Sequence, residues 1–160
     1  MNRIGFGTDI HRLKAGLPLF LGGIEIESEH GAVGHSDADA LAHAVTDAIL
    51  GALALGDIGT HFPNSDDRWR NAESFVFLKY AVGLIKEHGY TISNVDSVVT
   101  LEAPKLRPYV ERIRESLANV LEVGTDYVSV KAKTNEGLGE IGRLEAVKAE
   151  AIVMLQRAVS

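Results

Sequence analysis

Asp9 and His11 stand two residues apart at the end of a run in which Ile4, Phe6 and Thr8 alternate with Arg3, Gly5 and Gly7. Such alternation predicts a first strand ending near residues 9–11, and a period of two turns both side chains to one face of the sheet. Further on, Asp39, His43 and Asp47 recur at four-residue spacing, opposite a stripe of Leu41, Val45, Ala48, Ile49 and Ala52. That pattern predicts a helix with His43 on its polar side and a carboxylate one turn away on either flank, placed to orient the imidazole. Asp9, His11 and His43 would make three nitrogen and oxygen ligands, the number that catalytic zinc sites use while keeping a fourth position open. Spacing alone leaves a second reading open, because two histidines and an aspartate fall in such an arrangement by chance in many chains.

The run Gly34-His35-Ser36-Asp37 precedes the helix, where free backbone amides favour an anion. Ser36 alternatively does no more than cap a helix over 37–53, with Asp39 as its third residue. His30, His61 and His88 have no comparable company and read as surface or loop residues. The sequence has no cysteine, so any zinc here must be held by histidine and carboxylate.

The elements that must position these groups follow from periodicity. Residues 18–21 and 24–27 flank Gly22-Gly23 and predict a hairpin. A Gly-rich turn over 55–59 leads into a polar stretch, 64–71, with the composition of a surface loop or lid. A helix over 73–88 shows Phe75, Leu78, Val82 and Ile85 on one face and stops at Gly89. A strand over 95–102 precedes Pro104 and Pro108, and Pro108 opens a helix carrying Val110, Ile113, Leu117 and Leu121. A strand over 127–132, a Gly-rich segment over 136–142 and a last helix reaching Ala158 complete the chain. Helices and strands interleave too irregularly for a doubly wound sheet. The expected fold is α+β: a two-layer sandwich of a mixed β-sheet with helices on one face, as a single domain over 1–160. The net charge of −6, with no block of Lys or Arg, argues against nucleic acid as a partner. No stretch has the length of a membrane span and no signal-like segment opens the chain, so the expected setting is cytoplasmic.

Six motifs occur in order: Gly7-Thr8-Asp9-Ile10-His11, His35-Ser36-Asp37-Ala38-Asp39, Leu55-Gly56-Asp57-Ile58-Gly59, Phe62-Pro63, Ala103-Pro104-Lys105 and Lys131-Ala132-Lys133-Thr134-Asn135-Glu136. Together they resemble the 2-C-methyl-D-erythritol 2,4-cyclodiphosphate synthase family. The resemblance implies a zinc-dependent phosphorus–oxygen lyase. Its substrate would be the cytidine diphosphate compound 4-diphosphocytidyl-2-C-methyl-D-erythritol 2-phosphate, whose own 2-phosphate attacks the β-phosphorus and expels CMP. It implies a homotrimer with active sites between subunits. Asp9, His11 and His43 match the zinc ligands, and Glu136 matches the ligand of a second divalent cation, Mg2+ or Mn2+. His35 and Thr134 match positions that stabilise the transition state. Of the substrate contacts, His35 and Ser36 address the methylerythritol phosphate end and Lys133 and Thr134 the diphosphate, while Asp9, His11, Asn135 and Arg143 also match substrate-binding positions. Asp57, Gly59 and the segment Phe62, Pro63, Asn64, Ser65 and Asp66 match a sugar-contacting loop. Leu101, Ala103, Pro104, Lys105, Leu106 and Arg107, with Ala132, match a segment whose backbone frames cytosine; apart from the family, Lys105 reads as a solvated surface lysine.

Some positions depart from the family's pattern. Asn64 stands where an Asp is common and Lys133 where a Thr is common. Glu140 replaces an aromatic, and Leu144 and Ala146 replace glycines in a segment that lines an axial cavity of the trimer. That cavity should therefore bind isoprenoid diphosphates poorly, with Arg143 pairing the Glu140 side chains. Two other functions compete with the synthase: a zinc phosphohydrolase, and a nucleotide-binding scaffold without activity.

Overall fold

The computed structural model describes residues 1–158 apart from 64, 70 and 71. Its first strand, β1 (Arg3–Ala15), runs past the expected end at 9–11, so Asp9 and His11 sit within a strand. Gly5, Gly7, Asp9, His11 and Leu13 point to one face, while Ile4, Phe6, Thr8 and Ile10 point to the other and are exposed. The hairpin forms as expected, from β2 (Leu19–Leu21) and β3 (Ile24–Ile26), and remains a separate two-stranded sheet. Strand β4 (His30–Ala32) then returns to pair with the end of β1.

Helix α1 (Ala40–Leu53) lies across the inner face of β1. A Cβ on Gly5 would stand 1.8 Å from the Ala48 carbonyl oxygen, so the strand must be glycine where the helix backbone rests on it. The expected stripe is buried, but so are Ala44, Thr46 and Leu50, because α1 is also covered by α3 (Ser74–Glu87) and β2. Burial of each large aliphatic side chain of this kind contributes about 1.5–3 kcal/mol. The helix begins later than expected: Asp39, not Ser36, is its N-cap and accepts from the Ala42 amide at 2.9 Å. Ser36 instead accepts from the Ala38 amide at 3.2 Å, in a turn where Ala38 adopts φ 56°.

After α1 come a short helix α2 (Ile58–His61), a helical turn over Asp67–Trp69, α3 and strand β5 (Tyr90–Thr100), which starts five residues earlier than expected at 95. Gly89 ends α3 with φ 71°, as its position suggested. A turn over Arg107–Tyr109 carries Pro108 into α4 (Val110–Leu121), and β6 (Val128–Lys133) follows. Beyond the short helix α5 (Gly139–Gly142), the expected final helix is absent: 146–157 form β7 (Ala146–Arg157), the central strand of the sheet. Ala, Glu and Lys favour a helix by propensity, but Val147, Ala149, Ala151, Val153 and Leu155 are buried at a period of two. Burial in a sheet centre outweighs propensity differences of a few tenths of a kcal/mol per residue.

The five-stranded sheet has the order β4-β1-β7-β5-β6, parallel only between β5 and β6, and is therefore mixed. Helices α1, α3 and α4 cover one face, giving the expected α+β layering. Among the described residues, no helix is long and apolar enough to cross a membrane.

Candidate metal centre

His43 lies in the first turns of α1, and the start of that helix is anchored by the fully buried Asp39. One Asp39 oxygen accepts from the Gly22 and Ala42 amides, both at 2.9 Å, and the other from the Gly23 amide at 2.6 Å. Burial raises the Asp39 carboxyl pKa, opposed by those three amides. Asp47 accepts from the Ile58 amide at 2.7 Å and ties α1 to α2. Both expected orienting carboxylates are thus committed to backbone, which corrects the reading that either one holds His43. The ring is met instead by Ser74 Oγ, 2.8 Å from Nε2, with Ser36 Oγ at 3.2 Å. Ser74 in turn donates its hydroxyl proton to Asp37.

On its other side, His43 Nδ1 is 3.1 Å from Asp9 Oδ2 and 3.2 Å from His11 Nε2, and the last two atoms are 2.9 Å apart. His11 Nδ1 donates to the Val33 carbonyl at 3.1 Å, which leaves Nε2 as a lone pair in the neutral ring. With the Ser74 proton on Asp37, the His43 tautomer that satisfies Ser74 Oγ carries its proton on Nε2, and Nδ1 is then a lone pair as well. Two nitrogen lone pairs and a carboxylate oxygen therefore converge on one point. In a tetrahedron with metal–ligand distances of about 2.0–2.1 Å, ligand atoms stand roughly 3.3 Å apart, close to the separations found here. The donor set fits zinc, and Asp9, His11 and His43 form a group able to hold a metal ion. Burial alone would raise the Asp9 carboxyl; when the metal is absent and the rings turn protons toward it, hydrogen bonds from His11 and His43 outweigh that burial and hold the group well below the usual carboxylate range. Burial opposes protonation of His11, yet the hydrogen bond and charge of Asp9 prevail and raise its pKa.

The centre opens into a cleft of about 250 Å³. His35, Ser36, Gly59, Phe62 and Asp66, all expected at the substrate, line it together with the unanticipated Trp69 and Phe77. Phe62 packs on Phe77 at 4.6 Å and edge-on to Trp69 at 4.9 Å, which makes one wall aromatic. Asp57 caps α2 by accepting the Thr60 amide and hydroxyl at 2.8 Å, while Pro63 and Ser65 are exposed beside it. Asn64 lies outside the described residues.

Residues 2–156 match the YgbB family. A protein of Salinibacter ruber named 2-C-methyl-D-erythritol 2,4-cyclodiphosphate synthase is 51% identical over 98% of this chain and 99% of its own. One of the same name from Solibacter usitatus is 52% identical over 97% and 98%. A solved structure of a synthase with that name, in a CDP-bound form, superposes with a TM-score of 0.90 at 44% identity, covering 96% of this chain and all of that one. The chain belongs to the YgbB family. The resemblance carried by the six motifs is borne out.

In this YgbB-family chain, the other expected residues lie apart from the metal centre. Thr134 donates to Glu136 Oε1 at 3.0 Å, and the Asn135 amide donates to Glu102 Oε2 at 3.0 Å. Lys133 and Ala132 are exposed at the end of β6, where the Lys133 carbonyl accepts from the buried Leu101. Ala103 and Pro104 line a second cavity with residues 27–30 and Leu144; Lys105 and Arg107 are exposed and Leu106 is buried. Asp9 is in register with Ala149, Val99 and Ala132, so three strand spacings, roughly 14 Å, separate the two groups across the sheet. Arg143 pairs with Glu145 at 3.1 Å rather than with the exposed Glu140.

Ser74 and Asp37, the pair that meets the far side of the His43 ring, were not anticipated from the sequence. A serine opening a helix gives no sign of a partner 37 residues away. The signal that was available is the Gly5, Gly7 alternation facing Ala44 and Ala48, small residues that announce a close helix–strand approach.

Proposed function

We propose that this chain is a 2-C-methyl-D-erythritol 2,4-cyclodiphosphate synthase of isoprenoid precursor synthesis, built as one domain and acting in the cytoplasm. It closes 4-diphosphocytidyl-2-C-methyl-D-erythritol 2-phosphate into the cyclic 2,4-diphosphate and CMP. The observation that carries the reading is the convergence of Asp9 Oδ2, His11 Nε2 and His43 Nδ1 within 3.2 Å, in a cleft floored by that centre and walled by aromatic rings. The near-full-length synthase relatives supply the reaction.

A 2-phosphate oxygen of the substrate forms the new bond to the β-phosphorus, the bond from that phosphorus to the CMP oxygen breaks, and CMP leaves with the electron pair. The nucleophile belongs to the substrate, so the protein's task is to hold the ends together and neutralise charge. Asp9, His11 and His43 would hold zinc, which would supply Lewis acidity, and Glu136 would hold Mg2+ or Mn2+, which would supply a second positive charge. His35 and Ser36, at the cleft, hold the methylerythritol phosphate end. Lys133 and Thr134 hold the diphosphate, and Asn135 and Arg143 also contact the substrate. Asp57, Gly59 and the segment 62–66 contact the sugar, and the backbone of 101–107 with Ala132 frames cytosine.

The two groups are too far apart in one chain to share one diphosphate, which supports a homotrimer whose sites combine Asp9, His11 and His43 of one copy with Thr134 and Glu136 of another. The sheet face opposite α1 suits such an assembly: Ile4, Phe6, Ile10 and Ile152 are exposed there, Phe6 and Ile152 in register with each other. The test is product analysis by phosphorus NMR with zinc and magnesium present. Cyclic diphosphate and CMP in equal amounts bear out the synthase. Inorganic phosphate makes the protein a phosphohydrolase, and unchanged substrate makes it a scaffold.

A further inference from the structure

Helix α3 begins at the completely buried Ser74, and its N-cap residue, Glu73, makes no side-chain capping bond. The missing cap comes from Asp37, far back in the chain. Asp37 Oδ2 accepts the Ser74 amide at 3.0 Å, and the Asp37 amide donates to the Ala72 carbonyl at 3.1 Å. This clamp joins the loop before α1 to the start of α3 and leaves the Ser74 hydroxyl wedged between Asp37 Oδ1 and His43 Nε2.

The hydroxyl has one proton. An ionised carboxylate accepts only, so that proton goes to Asp37, and Ser74 Oγ is left to accept. His43 can satisfy it only from Nε2–H. The other tautomer would set two acceptors against each other at 2.8 Å and turn a proton from Nδ1 toward Asp9 Oδ2, in the place a metal would take. We propose that Ser74 and Asp37 are positioning residues of the metal centre: the relay Asp37–Ser74–His43 locks the Nε2–H tautomer and aims the Nδ1 lone pair at the metal. His11 is fixed in the complementary way by the Val33 carbonyl, so the two imidazoles present Nδ1 and Nε2, respectively, to the same point. Carboxylate character passed through the hydroxyl also makes His43 a stronger ligand. Ser36 Oγ lies 3.2 Å from the same His43 nitrogen and 3.3 Å from Ser74 Oγ, which ties the substrate-facing turn to the relay.

This inference rests on the reading of Asp9, His11 and His43 as zinc ligands, and the experiment separates the two. Zinc affinity is measured by competition with a chromophoric chelator for the full chain and for Ser74→Ala, Ser74→Thr and Asp37→Asn. The ring tautomer of His43 is read in the zinc-free proteins from long-range proton–nitrogen NMR spectra at mildly alkaline pH. Loss of an outer partner of a metal-binding histidine typically weakens affinity by about 10–100-fold, and that loss is expected for Ser74→Ala and Asp37→Asn. Ser74→Thr keeps the hydroxyl and should stay within a few-fold of the unsubstituted chain. The Nε2–H form should dominate in the chain and in Ser74→Thr, and give way to a mixture in Ser74→Ala. Unchanged affinity in Ser74→Ala or Asp37→Asn, or an unchanged tautomer in Ser74→Ala, overturns the relay. Failure of the unsubstituted chain to bind zinc would instead overturn the metal centre itself.

Discussion

Gly7 lies directly beneath the carbonyl of Ala44: a Cβ added there would stand 2.0 Å from that oxygen. One residue earlier on the same helix is His43, and two residues further along the same strand is Asp9. The absence of a side chain at Gly7 therefore sets the height of His43 above its fellow ligands. Gly7→Ala should lift α1 and cost about 1–3 kcal/mol or more, as overpacking does, with loss of bound zinc. Gly83, inside α3, has open space where its Cβ would go. Gly83→Ala should raise stability by about 0.5–1 kcal/mol and leave zinc content alone. Urea unfolding midpoints and metal analysis of the two variants check both outcomes.

His43→Ala should remove zinc and activity together while the protein stays folded, because the buried residues of α1 are untouched. Metal analysis with size-exclusion chromatography reads both. Stoichiometric zinc in the variant would contradict the ligand assignment.

Glu136→Gln should keep zinc and lose turnover, partly restored by added Mg2+ or Mn2+, since the amide removes the charge that holds the second cation. Co-expressing His43→Ala with Glu136→Gln tests whether sites are shared between copies. In random trimers about a quarter of sites would join an intact metal centre to an intact Glu136, so roughly a quarter of activity should return. No recovery would place both halves of the site in one copy.

Acid should act on the centre through His11 rather than Asp9. The Asp9 carboxyl is held below its ordinary 3.8 and stays ionised across the neutral and mildly acid range. His11 is raised above its ordinary 6.5, so in the zinc-free protein its pairing with Asp9 adds stability fully present below 6.5. That stability is lost as pH rises through the higher folded value. Zinc competes with the same proton, so its affinity should move oppositely and fall as pH drops through that value. Thermal midpoints with and without zinc, taken across pH, should converge on the acid side; a zinc-induced shift independent of pH would contradict this.

Much of this was legible in the sequence because the periods were clean. Asp9 and His11 share a face by strand alternation, and the α1 stripe announced a buried helix against that face. Where the sequence misled, two physical signals competed. In 146–157 the alternation of Val147, Ala149, Ala151, Val153 and Leu155 was masked by alanine, which is small enough for either structure and favours a helix by propensity. At the start of α1, Ser36 and Asp39 are both good caps, and only the turn that places the Gly22 and Gly23 amides against Asp39 decides between them. The relay from Asp37 through Ser74 to His43 was invisible, because it depends on where α3 docks.

The central claim is that the attacking oxygen belongs to the substrate and not to water. Turnover in water enriched in heavy oxygen tests it directly, with mass spectrometry of both products. The expected result is one CMP per cyclic diphosphate and no label in either. Heavy oxygen in a phosphorus product would show that water is the nucleophile, and the chain would then be a hydrolase built on the same metal centre.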